Sequence, residues 1–341
     1  MEERVTISNI AQKSGVSLAT VSLVLNNKPG VSTDTRARVR EVAEALGYTP
    51  KQNGAATRGS QLATLGMIVK TDIDQQPYDN PFYSRIMMGI EDTCRKDGIN
   101  LLFSTLPVDA QNHPVENPAL LYNDNLDGLL MVGAFVDETV LSISGRRTPP
   151  IVLVDAYSNT ESFDTVVSDN FRAAYQAVEY LINKGHQHIG LVGGEINAYP
   201  SLLDRRNGYI RAIKENQITE TYIANFNIIK TKGYSEVIWL LKEHPQISAL
   251  FCINDEIALT AMRAAQDMGR RIPQDLSIVG YDDIYMAQNA SPRLTTMHVD
   301  TLAMGRAAVQ LLNVRTANPE MARMTLTIHP RLIERDSVAQ R

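Results

Sequence analysis

The first residues able to do chemistry form the N-terminal run Thr6-Ile-Ser-Asn-Ile-Ala-Gln-Lys-Ser-Gly-Val-Ser-Leu-Ala-Thr-Val-Ser-Leu-Val-Leu-Asn26. Hydroxyl and amide groups alternate there with small apolar residues. Ser, Thr and Asn near helix starts donate to phosphate oxygens, as do the unpaired amides of a helix N-terminus. A second set is dispersed along the chain. Asp155 and Asp282 follow apolar, strand-like runs, Asn254-Asp255 precedes an amphipathic segment, and Phe82 and Tyr83 are adjacent aromatics. Carboxylates, a carboxamide and an aromatic face together suit vicinal hydroxyls and the C–H side of a sugar ring. Readings without a ligand stay open: the N-terminal run as a bare three-helix bundle, Asn254 and Asp255 as helix caps, Phe82 as core. No Gly-x-Ser-x-Gly elbow, Gly-x-Gly-x-x-Gly fingerprint, P-loop or His-Glu-x-x-His occurs. The enzymatic rival that remains is Asp155 and Asp282 as a glycosidase pair. His186-x-His188 has no further ligands at a suitable spacing, so neither a metal nor a cofactor is expected.

These groups need elements to hold them. Thr6 is positioned to cap a helix over Ile7–Ser14, ended by Gly15. Ser17 caps a second helix from Leu18 to about Asn26, with Val21, Val24 and Leu25 inward. Ser32 or Thr33 caps a third, whose stripe is Ala37, Val39, Val42, Ala43 and Leu46 and which Gly47 closes. Beyond Leu62 the pattern changes to continuous apolar strands: Thr64–Val69, Leu101–Ser104, Gly128–Val132, Ile151–Val154, Ile189–Val192, Ala249–Ile253 and Ser277–Gly280. Helices over Phe82–Lys96, Phe171–Lys184, Leu202–Glu215 and Asp255–Met268 separate many of them. Such alternation implies parallel sheets covered on both faces. The fold class is therefore α/β, a small all-α helix-turn-helix headpiece followed by two doubly wound parallel-sheet lobes. Ligands bind such lobes at strand carboxyl ends and in the cleft between them.

The length of 341 residues is enough for two or three domains. The expected division is a headpiece over 1–49, a small, polar hinge linker over 50–61 and a sensor and dimerisation domain over 62–341. Within the last, one lobe takes about 62–166 and 298–326, the other about 167–297 and 327–341. The longest apolar runs fall well short of the roughly 20 residues that cross a bilayer. The start, Glu2-Glu3-Arg4, is no export signal, and two cysteines do not make a disulfide scaffold. A cytoplasmic protein is expected. Net charge is −5, but residues 1–58 hold eight basic against five acidic side chains, +3, leaving −8 beyond. A basic head on an acidic body places the phosphate-binding role on the head.

The N-terminal run, continued by Val31-Ser-Thr-Asp-Thr-Arg-Ala-Arg-Val39 and Leu46-Gly-Tyr-Thr-Pro50, resembles the LacI/GalR repressor family. The resemblance continues through Asn80-Pro-Phe-Tyr83, Asp127-Gly128, Gly185-His186, Arg205-Arg-Asn-Gly-Tyr209, Asn254-Asp255, Gly280-Tyr-Asp-Asp283 and Leu294-Thr-Thr296. It implies a sensor of the type I periplasmic-binding-protein kind. It further implies a homodimer on pseudo-palindromic double-stranded operator DNA, with half-sites about one helical turn apart. On the DNA side it implies roles for Thr20, Ser22, Asn26, Ser32 and Tyr48 toward phosphate and for Leu18, Ala19 and Leu23 toward base edges. Thr6 and Ser17, hydroxyls at the helix starts of the run, are expected in the same DNA-binding set. Leucine and alanine cannot form the bidentate bonds that read guanine, but pack on thymine methyls, so A·T pairs are expected beneath them. A second departure lies in the hinge. Thr57 stands where the family's minor-groove leucine wedge falls, with Asn53 and Gly54 before it and Arg58 after it. Either the hinge kinks DNA less, or Arg58 works in the minor groove instead.

For the effector, the resemblance implies a site from Phe82, Tyr83, Asp155, Arg205, Asn254 and Asp282. Arg205 stands three residues before Gly208 in the family's Arg-x-x-Gly spacing, with Arg206 pointing elsewhere. Asp283 reads as structural or hinge-crossing. The loops 71–80 and 107–118 either border the cleft or are ordinary surface. The function expected is a sequence-specific repressor under allosteric control by a small polar effector, a sugar or glycoside. A sugar-binding transport protein is the rival, opposed by the headpiece and by the missing export signal.

Overall fold

The computed structural model describes residues 6–25, 30–46, 48, 62–72, 80–109, 111–135, 137–144, 149–157, 163–196, 199–228 and 231–341. The chain divides into two compact units, Met1–Gly59 and Ser60–Arg341. The first holds α1 (Ile7–Ser14), α2 (Leu18–Leu25) and α3 (Thr33–Ala45). Thr6 and Asn9 form a reciprocal cap at the start of α1, and Gly15 ends it in the left-handed conformation at φ 69°. Ile10, Ala11, Val21, Val24, Val39 and Ala43 make its core, with Val16, Leu25, Val42, Leu46 and Tyr48 packed against it. Ala37 departs from the expected stripe and is exposed; two residues from Val39, it lies about 200° round the helix.

The second unit runs β1 (Thr64–Asp72), α4 (Pro81–Asp97), β2 (Asn100–Val108), β3 (Gly128–Val132), α5 (Asp137–Ser144), β4 (Ile151–Val154), β5 (Asp164–Ser168), α6 (Asn170–Asn183), β6 (Ile189–Val192) and α7 (Pro200–Glu215). It continues through β7 (Tyr222–Ala224), α8 (Tyr234–Glu243), β8 (Ala249–Cys252), α9 (Asp255–Asp267), β9 (Ser277–Asp282), α10 (Tyr285–Asn289), β10 (Thr295–His298), α11 (Thr301–Ala317), β11 (Thr325–Ile328) and β12 (Arg331–Ile333). Two six-stranded sheets result, ordered β11-β5-β4-β3-β1-β2 and β12-β10-β9-β8-β6-β7. Their pairings are parallel except that of β10 with β12, an antiparallel edge. β3, β4 and β8 are buried at every position, as parallel strands covered on both faces must be. The chain passes between the sheets at 168–170, 298–301 and 328–331, so these short segments join two lobes. Among the described residues no helix is long and apolar enough to cross a membrane.

In the first lobe α4 and α11 cross closely because glycine stands at the contact on both. A Cβ on Gly89 would overlap the Leu302 carbonyl, and one on Gly305 the Ile86 carbonyl. Both clashes are with backbone, which cannot swing away. Gly89→Ala is therefore expected to destabilise the second unit by about 1–3 kcal/mol, read as a lowered urea midpoint; an unchanged midpoint would show that the helices can separate freely.

Candidate functional site

On the headpiece, α2 presents Leu18, Ala19, Ser22 and Leu23 on the side opposite buried Val21 and Val24; Leu18 is 51% exposed. Leu18 thus puts an apolar side chain on the same exposed side of α2 as Ala19 and Ser22. Ser17 sits at the start of α2, its Oγ accepting from the Thr20 amide at 3.1 Å and lying 2.9 Å from the Thr20 hydroxyl. Ser32 caps α3, and its hydroxyl donates to Thr35 Oγ1 at 2.9 Å. The Thr6 hydroxyl likewise donates to Asn9 Oδ1. The protons of Thr6 and Ser32 are thus used locally and must rotate away to meet a phosphate. Tyr48 is half-buried against the headpiece core. Asn26, Thr57 and Arg58, and with them the hinge linker, lie outside the described residues.

In the second unit a cavity of about 350 Å³ opens between the lobes. Its lining includes Phe82, Tyr83, Asp155, Arg205, Asn254 and Asp282, the six residues of the expected effector set. The fold explains how they meet. Asp155, Asn254 and Asp282 come from the carboxyl ends of β4, β8 and β9, while Phe82 and Tyr83 start α4 and Arg205 lies on α7. The backbone turns sharply into the cavity at Asp155, φ 58°, and Asp282, φ 106°. Non-glycine residues seldom adopt such angles, and they concentrate at binding sites.

Arg205, 5% exposed, organises the floor. Its Nε donates to Asn170 Oδ1 at 2.9 Å and its Nη1 to the Ile253 carbonyl at 2.8 Å, while its guanidinium lies 3.7 Å from the Tyr281 ring centroid. Asp282 Oδ1 stands 3.3 Å from Arg205 Nη2, close enough for an ion pair but not directed as a hydrogen bond. Asp155 accepts from the Tyr83 hydroxyl at 3.0 Å through one oxygen, and its other oxygen, Oδ1, is buried without a hydrogen-bond partner. Asp155 and Asp282 both line the cavity, and each keeps one buried oxygen without a directed hydrogen bond, that of Asp282 balanced by the Arg205 charge, a costly arrangement that a ligand donating to these carboxylates would relieve. Arg206 turns away and donates to the Gly194 carbonyl.

Three of these residues combine two roles. Tyr83 was expected as part of an aromatic wall, but its hydroxyl is engaged on Asp155, so it acts as a polar donor as well as a ring. Phe82 lines the cavity and also belongs to the core. Asn254 likewise combines both of its readings, since its Oδ1 caps α9 by accepting from the Ile257 amide at 2.9 Å while the residue lines the cavity. The sequence reading missed Lys70 and Tyr199. The Tyr199 hydroxyl, from the second lobe, accepts from Lys70 Nζ at 2.6 Å and from Asn112 Nδ2 at 2.8 Å, both of the first. Lys70 could have been found by its place near the carboxyl end of a strand. The Asn112 contact depends on the path of a loop and had no local signal. His186 bonds Ser248 and the Ala339 carbonyl, and His188 bonds Tyr222; among the described residues no cluster suited to a metal ion occurs.

Burial pushes the Asp155 carboxyl up to about 6, against the opposing pull of Arg205 and Tyr83. Burial likewise pushes Asp282 up to about 7, opposed by Arg205 and assisted by Asp155 and Glu256. Between the ordinary carboxylate range and these values the folded state holds more protons than the unfolded one. The unliganded unit therefore loses stability as pH rises through that window. A ligand donating hydroxyls to these oxygens favours their charged forms, so binding should release protons and tighten roughly tenfold from pH 6 to 8. Titration calorimetry at pH 6.5 in buffers of different ionisation enthalpy reads this directly; proton uptake would refute it.

A helical headpiece that presents one face of a short helix, with a two-lobed α/β sensor around a polar cleft, defines a class of DNA-binding regulators that respond to small molecules. Residues 6–51 match the family described as "Bacterial regulatory proteins, lacI family", and residues 178–338 match a "Periplasmic binding protein-like domain". The HTH-type transcriptional repressor PurR of Proteus mirabilis is 31% identical over 340 residues, 98% of this chain and 97% of that protein. The ribose operon repressor of Haemophilus influenzae is 32% identical, over 98% of each chain. A crystal structure of a LacI family transcriptional regulator from Enterococcus faecium with bound ribose matches with a TM-score of 0.68 at 28% identity, covering 82% of this chain and 99% of that one. The chain belongs to the LacI family. It is a DNA-binding transcriptional repressor, not an enzyme.

Proposed function

We propose that this repressor acts in the cytoplasm as a homodimer on a pseudo-palindromic operator and that a neutral polyhydroxylated effector, a sugar or glycoside, sets its operator affinity. The reading divides the chain into a headpiece over 1–49, a hinge over 50–61 and a sensor over 62–341. The observation that carries it is that two buried carboxylates, Asp155 and Asp282, line one cavity with Arg205 beside them, each with one oxygen that makes no directed hydrogen bond. Charged linings balance as well: Lys70, Arg205 and Lys232 against Asp155, Glu256 and Asp282, which favours an uncharged ligand. The relatives named for ribose agree with this chemistry. Effector closing the cleft changes operator affinity through a coupling free energy of typically 1–3 kcal/mol.

A thermal-shift screen across sugars, glycosides, nucleosides and purines tests the effector class. A sugar should stabilise the protein and alter a salt-sensitive gel shift. A purine that stabilises while no sugar does would overturn the sugar reading, and sugar binding with no DNA binding would favour the transport rival. Selection from random DNA tests the headpiece. Half-sites should place A·T pairs under Leu18 and Leu23, and G·C pairs there would refute thymine-methyl packing.

A further inference from the structure

The cleft receives two dipeptides whose members face opposite ways. In Asn254-Asp255 and Asp282-Asp283 the first residue lines the cavity, whereas the second grips β10 or its surroundings. Asp255, fully buried, accepts from the Thr296 hydroxyl at 2.6 Å and from the Ile284 amide at 2.9 Å. Gly280 makes room for it, since a Cβ there would overlap Asp255 Oδ1. Asp283 lies 2.8 Å from His298 Nδ1 through one oxygen and accepts from Arg335 Nη2 at 2.6 Å through the other. Arg335 in turn donates to the Leu294 carbonyl and, through its amide, to the Thr295 hydroxyl. Both second carboxylates therefore terminate on the strand Thr295–His298.

That strand runs directly into the lobe crossing at 298–301 and then into α11, which packs on α4 across Gly89 and Gly305. α4 begins with Phe82 and Tyr83, back at the cavity. The link at Asp282-Asp283 is short and stiff. Both residues hold left-handed backbone angles, φ 106° and 58°, and they share one peptide plane. A torsional adjustment that brings Asp282 to a ligand reorients Asp283 against His298 and Arg335.

We propose that Asp255 and Asp283 are positioning residues that carry effector occupancy from the cleft to β10 and the 298–301 crossing, and so set the coupling between effector and operator. This rests on the effector reading above. Neither residue needs to touch ligand. Coupling in this sense requires an element with two arrangements that both sites bias, and the crossing between lobes is that element.

The test compares full-length wild type with Asp283→Asn and His298→Gln, using D-ribose as the probe and an operator selected from random DNA. Wild type should change operator affinity at least about fivefold at saturating ribose. Both variants should bring that ratio below about twofold while ribose affinity by calorimetry stays within about threefold of wild type. A merely structural role would lower the melting temperature and leave the ratio intact, which overturns the proposal. A folded variant that loses ribose binding overturns it too, by placing Asp283 in the site. If Asp283→Asn does not fold, His298→Gln decides by the same ratio. A wild type that ignores ribose counts against the effector reading alone, and a ligand-free arm then decides. Asp282→Asn should shift operator affinity in the wild-type background and not in His298→Gln; additive effects refute transmission through His298.

Discussion

Arg205→Ala should abolish effector-induced stabilisation and at the same time weaken the sensor unit by about 3–5 kcal/mol. Both effects follow from one side chain serving two purposes. Its guanidinium is the positive charge beside the two carboxylates that face the cavity, and it also donates to Asn170 and to the Ile253 carbonyl. Asn170 opens α6 immediately after the first crossing between lobes, so the same arginine braces the junction. Without it Asp155 and Asp282 lose the group that opposes their burial and should hold protons at neutral pH. An effector present at a hundred times its Kd should add about 2.7 kcal/mol to wild type and nothing to the variant. Arg205→Lys keeps the charge but not the planar fork, and should lose most of the affinity with a smaller loss of stability. The headpiece is untouched, so DNA binding by either variant should persist without its response to effector. Undiminished ligand affinity in Arg205→Ala would show that the site has been assigned to the wrong arginine.

Arg315→Met should cost the second unit about 3–5 kcal/mol as well, with no direct effect on the cleft. Arg315 is the largest fully buried side chain among the described residues, at 1% exposure, and pairs with Asp164, at 0%. The fork is bidentate, Nε to Oδ2 at 2.6 Å and Nη2 to Oδ1 at 2.9 Å. It also donates to the carbonyls of Asn318, Pro319, Met321 and Ala322, and Asp164 accepts from the Met324 amide. One arginine thereby holds the end of α11, the segment after it and the first residue of β5 together. Removing it strips the buried carboxylate of its bidentate partner, leaving it the Met324 amide and the half-exposed Arg323 at 3.8 Å, and deprives the carbonyls of this donor. Arg315→Lys should recover little, because one ammonium cannot reach all these acceptors. Adding Asp164→Asn to Arg315→Met removes the stranded charge and should restore part of the loss, not all, because the carbonyls still lack the arginine donor. Chemical unfolding of the three variants reads the ranking, and full recovery in the double variant would mean that the carbonyl contacts contribute nothing.

The two arginines differ in how readable they were. Arg205 was legible through the family resemblance, whose Arg-x-x-Gly spacing is local and ends on a glycine that lets α7 approach the Phe171 carbonyl. Arg315 and Asp164 are 151 residues apart, and nothing around either one announces the pair. Strands divide in the same way. β3, β4 and β6 are continuous apolar runs and were legible from end to end. β5 and β10, Asp164–Ser168 and Thr295–His298, are rich in polar residues, and β7 and β12 are three residues long. Their polar groups are satisfied by distant partners, so no local pattern marks them as buried.

By itself the sequence determined the kind of protein: helix caps, turn glycines and apolar periods act within a few residues, and they suffice for a helix-turn-helix followed by alternating strands and helices. It also placed the chemistry-bearing residues at strand ends, because strand ends are local. Only the tertiary structure decided what those residues do to one another. It left one oxygen of Asp155 and one of Asp282 without a hydrogen-bond partner, engaged the Tyr83 hydroxyl, and turned Asp255 and Asp283 away from the cleft and onto β10. Those outcomes depend on distance and direction between segments far apart in the chain, and on burial, which raises the cost of an unpaired charge only once the lobes have closed around it.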